Sequence, residues 1–238
     1  MKRSEINRAY RRAKLCFKKN RWKLPPEPRW DITDFGLDEF TKTGLVLINL
    51  AEETEYCEKL MYCRKSQITP LHTHARKKED IICRQGRLAI ELWAGHPQKT
   101  AKGKQLHLKR NGKEVAVCSG EVIELAGGER VTLTPGIYHA FWGASVECVI
   151  GEVSTANDDV NDNYFVNPDI GRYPGIQEDE LPLVRLVSER QSPAPRPVNE
   201  PAGKVIHCPF ESQSLFRVTP FRRAFFCFQK LLMVLVAS

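Results

Sequence analysis

Two histidines set two apart, His72 and His74, are followed after four residues by Glu79 and after six more by Gly86. The stretch 70–86, PLHTHARKKEDIICRQG, alternates like a strand. Successive strand side chains point to opposite faces, so His72 and His74 share one. The polar cluster Ala75-Arg76-Lys77-Lys78 can turn the chain and bring Glu79 beside the two imidazoles. Two neutral imidazoles and a carboxylate on one patch suit a divalent transition metal, with bonds of about 2.0–2.2 Å. Farther on, residues 127–139 run a strand into a Pro135-Gly136 turn with His139 just past it, a fourth donor if the fold brings the segments together. An ion held by three His and one Glu keeps positions open. Such a centre stabilises charge developing on a sugar during proton transfer between adjacent carbons. It equally supports Fe(II) and O₂ chemistry of the dioxygenase type, or sugar binding without turnover.

The elements that must position these residues are legible as short runs. Residues 45–48, 59–63, 88–93, 105–109, 114–118, 121–125, 130–133, 139–142 and 146–153 are rich in β-branched and aromatic side chains. Turn pairs such as Gln85-Gly86, Asn111-Gly112, Ser119-Gly120 and Gly127-Gly128 separate them. Evenly spaced strands without intervening helices predict a mainly β barrel or jelly roll. Ahead of it, Ser4 is a plausible N-cap for a helix to about Asn20, with Ile6, Tyr10, Ala13 and Phe17 as its apolar stripe. Residues 30–40 read as a short helix or an irregular cover. The division is therefore 1–43 helix and cover, 44–190 barrel with a loop-rich end, and 191–238 a proline-rich, then basic and apolar tail. That tail reads as a poorly ordered appendage or the product of an altered reading frame.

Composition sets the class. The 238 residues suffice for one large domain, and 42% hydrophobic with 27% charged residues is ordinary for a globular chain. The net charge of +7 gathers in the first two dozen residues and the far C-terminus, with no nucleic-acid motif beside it. Eight scattered cysteines without a CxxC pair read as free, buried thiols of a reducing compartment, the cytoplasm. No secretory signal opens the chain, and the apolar run 225–237 is shorter than a bilayer requires. Nucleic acid and membrane are not expected partners.

The first segment resembles the first cupin motif from His72 to Gly86, although its opening glycine is absent. Pro135-Gly136-Ile137-Tyr138-His139 resembles a shortened second motif, with Gly143 where an asparagine is usual. More closely, MKRSEIN, the EKL before the metal segment, the HxH(x)4ED block, PGIYHAFWG and VNDN…GRYP…EDE resemble the bacterial D-lyxose isomerase family over most of residues 1–190. The resemblance implies a cupin fold (a double-stranded β-helix) and a homodimer using Mn²⁺, or Zn²⁺, Co²⁺ or Fe²⁺. It implies interconversion of D-lyxose with D-xylulose, and D-mannose with D-fructose, through a metal-stabilised cis-enediol. His72, His74, Glu79 and His139 are the expected ligands. Lys59, on the strand before the first motif, is the first candidate for contacting sugar oxygens or carrying the proton. Asp169, Arg172 and the cluster Glu178-Asp179-Glu180 lie in the loop segment that could close the mouth, where Asp169 and Arg172 are catalytic candidates and one acidic group could act as base. Tyr138 and Trp142 flank His139 and could stack on a sugar.

Overall fold

The computed structural model describes residues 1–158, 161–171 and 175–190; Arg172 and the tail 191–238 lie outside them. The chain opens with α1 (Arg3–Lys19) and continues through β1 (Arg29–Thr33), β2 (Leu45–Glu52), β3 (Tyr56–Arg64), β4 (Ile68–Thr73), β5 (Glu79–Gln85) and β6 (Arg87–Trp93). Then follow β7 (Gln105–Arg110), β8 (Lys113–Cys118), β9 (Glu121–Ala126), β10 (Arg130–Leu133), β11 (Tyr138–Gly143), β12 (Glu147–Thr155), β13 (Tyr164–Phe165) and α2 (Val187–Arg190).

The strands form two antiparallel sheets, ordered β1-β2-β3-β12-β5-β10-β7-β8 and β13-β4-β11-β6-β9. This is the expected jelly-roll barrel of the cupin type behind an N-terminal helix. Every short run singled out above is a strand. Between the sheets lies an apolar core including Met61, Ile81, Leu88, Ile90, Leu92, Leu125 and Ile150. Outside the larger sheet, α1 lays Ile6, Ala13 and Phe17 on Val46, Ile48, Leu60, Tyr62 and Val149. A strand covered on both faces reads as a continuous apolar run rather than an alternating one. That accounts for Leu60-Met61-Tyr62-Cys63, in which every residue is buried.

Two local expectations are corrected. Residues 29–33 are neither helix nor irregular cover but the edge strand β1, paired with β2 from Arg29↔Asn49 to Thr33↔Leu45. Its alternation sends Trp30 and Ile32 to α1 and leaves Asp31 and Thr33 facing the barrel cavity. Ser4 is not the N-cap; Lys2 is, and the helix starts one residue earlier than Ser4. Arg3 has to be inside the first turn because its side chain is buried against Glu178 and Glu189.

Candidate metal and sugar site

The turn after β4 carries the chain from the smaller sheet to the larger one. His72 and His74 therefore enter the barrel from one wall and Glu79, the first residue of β5, from the opposite wall. β11 pairs with β4 so that His139 lies directly beside His72, their ring centroids 4.2 Å apart. The two motifs, distant in sequence, thus meet. The ligand-capable atoms of His72, His74 and His139 all lie within 4.8 Å of one another. Oε1 of Glu79 sits 3.0 Å from Nε2 of His139 and 3.5 Å from Nε2 of His74. Gly86 ends the first motif with φ +83°, and a Cβ there would strike Ser145 Oγ and lie 2.5 Å from the Glu147 carbonyl. At Gly143, where the second motif departs from pattern, a Cβ would lie 2.7 Å from the Arg64 carbonyl oxygen, so the close strand approach demands glycine.

The electrostatics favour a cation at the centre. A carbonyl only accepts, so Nδ1 of His72 donates to Pro70 at 2.8 Å and Nδ1 of His74 donates to Asp162. Both Nε2 lone pairs are thereby turned inward. Burial, then the neighbouring His139, pushes the His72 pKa well below the ordinary imidazole value, and burial lowers that of His74. Both rings are held neutral, as ligands must be. Burial, the largest single influence, opposes ionisation of Glu79, but the Lys77 ammonium at 2.8 Å together with the adjacent His139 and His74 outweighs it and holds the carboxyl well below its usual range. His74 Nε2, His139 Nε2 and Glu79 Oε1 are all buried with no hydrogen-bond partner. Orphaned polar atoms of this kind are costly unless something they coordinate is supplied. Three imidazole nitrogens and one carboxylate oxygen fit a divalent transition metal.

Beside these four lies a cavity of about 200 Å³, lined also by Phe35, Phe165, Ile170 and Gly171. Its wall on the larger sheet carries a row of charges. Lys59 on β3 is directly paired with Glu152 on β12, and its Nζ lies 3.5 Å from that carboxylate and 3.0 Å from Asn157 Oδ1. Lys77 Nζ reaches the same Glu152 oxygen at 3.0 Å. Burial raises the Glu152 pKa, yet Lys59 and Lys77 together bring it below the ordinary value, so it is an anion between two ammonium groups. Asp162 anchors the other side of the turn; its carboxylate accepts the backbone N–H groups of Ala75, Arg76 and Lys77.

Other candidates lie elsewhere. Asp169 is exposed and does not line the cavity, although Ile170 and Gly171 after it do. Arg172 is outside the described residues. The cluster Glu178-Asp179-Glu180 is not at the mouth but clasps α1, through Arg3, Ser4 and Asn7. Tyr138 and Trp142 alternate away from His139, and Tyr138 meets His96 edge to face outside the cavity. Asp80 faces outward to Arg130. Lys77, Glu152, Asp31 and Asp162 are not among the site residues expected from the sequence. For Lys77 a signal existed: it stands two residues before Glu79, and so on the same face.

Comparison with known proteins agrees with this geometry. Residues 27–190 match the D-lyxose isomerase family. The D-lyxose/D-mannose isomerase of Serratia proteamaculans is 40% identical over 171 residues, covering 67% of this chain and 75% of its own. That of Escherichia coli O157:H7 is 37% identical over the same shares of both chains. The ligand-free L-ribose isomerase of Cellulomonas parahominis shares the fold, with a TM-score of 0.56 at 16% identity over 74% of this chain and 98% of its own. With the matched region spanning the whole barrel and both histidine segments, the chain belongs to the D-lyxose isomerase family.

Proposed function

We propose that this isomerase interconverts D-lyxose with D-xylulose, and D-mannose with D-fructose, in the cavity behind Phe165, with a divalent ion held by His72, His74, Glu79 and His139. The observation that carries the reading is the set of orphaned donor atoms, His74 Nε2, His139 Nε2 and Glu79 Oε1, gathered beside a cavity with a charged far wall. When bound, the ion supplies a Lewis acid for the negative charge that develops on the sugar oxygens.

The chain's own residues supply the rest. Moving a carbonyl between C1 and C2 takes a proton from one carbon and delivers it to the other. Glu152 is an ionised, buried carboxylate in the cavity wall and serves as the proton acceptor. Lys59 and Lys77 flank it and hold it ionised until substrate arrives. Lys59 also presents ammonium N–H groups to the sugar oxygens from the cavity wall. Phe35 and Phe165, packed edge to face at 5.7 Å, form an apolar part of the cavity lining and limit water around the transferred proton. Mn²⁺ as the resident ion and a homodimeric assembly rest on the family resemblance. A cytoplasmic setting is supported by Cys16, Cys63, Cys83 and Cys148, all free and buried; Cys118, also free, is exposed, against the expectation that the thiols are buried. Cys208 and Cys227 lie outside the described residues. Among the described residues no helix is long and apolar enough to cross a membrane.

The test is incubation of Mn²⁺-loaded protein with D-lyxose and with D-mannose, anaerobically, in D₂O. Ketose should form, deuterium should enter a carbon-bound position, and EDTA should abolish both. Absence of ketose from both sugars, or turnover that requires O₂, rejects the proposal.

A further inference from the structure

The turn that presents Glu79 to the histidines is short, polar and without regular structure between Thr73 and Glu79. What holds it is a residue far away in sequence. Asp162 is buried, at 3% exposure. One of its carboxylate oxygens accepts the Ala75 N–H at 2.7 Å, and the other accepts the Lys77 N–H at 2.9 Å. The Arg76 N–H between them is shared, at 3.2 and 3.1 Å. Successive backbone N–H groups converging on an anion form a nest, which fixes a backbone conformation no side chain of the turn itself dictates. The carbonyl of the same residue accepts the Nδ1 proton of His74. Two residues on, β13 pairs with β4, Tyr164 opposite Thr73 and Phe165 opposite His72, so the segment bearing Asp162 is laced to the strand that bears the histidines.

We infer that Asp162 is the positioning residue of this site: its carboxylate fixes the turn that aims Lys77 and Glu79 into the barrel, and its carbonyl fixes the ring of His74. It lies behind the turn and does not line the cavity, so it acts through those residues rather than on substrate. The inference rests on the metal reading for its effect on ion affinity; its effect on the turn stands apart from that reading.

The test uses the full chain with Asp162→Ala and Asp162→Asn, and has two arms. In the metal-free protein, amide exchange at residues 75–77 should accelerate at least tenfold in Asp162→Ala while the core strands exchange as in wild type. In the second arm, free Mn²⁺ is followed by its electron paramagnetic resonance signal. Partners behind a ligand typically contribute 10- to 100-fold in metal affinity, so Asp162→Ala should weaken Mn²⁺ binding by about that factor. Asp162→Asn keeps one acceptor oxygen and should fall between. At saturating Mn²⁺, KM for the sugar should stay within about threefold of wild type, which a residue touching substrate would not allow. Unchanged exchange at 75–77 in both variants overturns the inference, as does wild-type Mn²⁺ affinity in both. Should wild type itself bind no divalent ion, the metal reading falls, and the exchange arm alone upholds or overturns the anchor. If Asp162→Ala does not fold, Asp162→Asn is judged by the same two criteria.

Discussion

Glu152 occupies an inward position on β12, in line with Cys148 and Ile150, and its carboxylate touches both Lys59 and Lys77. Replacing it by glutamine preserves shape and hydrogen bonding but removes the proton acceptor. General-base groups contribute about 10²–10⁴-fold, and kcat with D-lyxose should fall by that range. Mn²⁺ affinity should stay within about threefold, because among the described contacts Glu152 reaches Lys77 and not the histidines. Initial rates and a Mn²⁺ titration on the same preparation check both halves; an unchanged kcat excludes Glu152 as the base. The four residues proposed to hold the ion are legible in sequence because HxH, Glu79 and His139 are unusual residue types at telling spacings. Lys77 and Glu152 are not, for physical reasons. A lysine in the run Arg76-Lys77-Lys78 looks solvated, and only its two-residue offset from Glu79 betrays that it points inward. Glu152 interrupts an apolar run at a position whose facing depends on which strand lies beside it, and pairing between β12 and β3 is long-range information.

At the level of elements, α1 is held by an apolar face and by a polar clasp. The face was readable from its period; the clasp was not, because its acidic half lies more than 170 positions away. Arg3 is 1% exposed, and its guanidinium meets Glu178 at 2.6 Å and Glu189 at 2.7 Å. Breaking a fully buried pair costs about 3–5 kcal/mol. Glu178 is 56% exposed, so solvent screens that partner and Arg3→Met should destabilise by about 1–3 kcal/mol instead. The urea midpoint should drop accordingly with the slope unchanged; an undiminished midpoint would show the clasp to be incidental. The same clasp predicts an acid response. Arg3 lowers the Glu178 pKa and the Ser4 hydroxyl lowers that of Asp179. A carboxyl depressed in the folded state contributes stability that is present above its unfolded pKa of about 4 and lost as pH falls through the folded value. Amide exchange in residues 3–19, corrected for intrinsic rates, should therefore be unaltered from pH 7 to 5 and accelerate below 4. β1 shows the same limit on legibility. Asp31 and Asp34 made residues 30–40 look like a cover, yet Trp30 and Ile32 already alternated with Asp31 and Thr33. The strand declares itself only once α1 is known to cover one face and the cavity the other.

For the whole molecule, the question is how much chain the site needs. Each contact argued above falls within residues 1–190: two sheets supply the proposed ligands and the charged wall, and α1 seals the larger sheet from outside. The family match ends at residue 190 as well. Glu189 must be kept, since it accepts from Arg3 and from the Leu186 N–H. A chain ending at Ala194 retains that contact and every element of the barrel. Nothing in the proposed chemistry draws on the residues beyond it, whose proline-rich and then basic-apolar composition departs from the barrel's. Removing them should leave the melting temperature within about 2 °C, the lower end of the 2–4 °C by which about 1 kcal/mol shifts a domain of this size. kcat/KM for D-lyxose should stay within about twofold. A loss of more than tenfold in rate with the melting temperature preserved would mean that the segment after Ala194 reaches the site. The barrel would then not be the complete catalytic unit, and the residues that close the cavity would have to be sought beyond it.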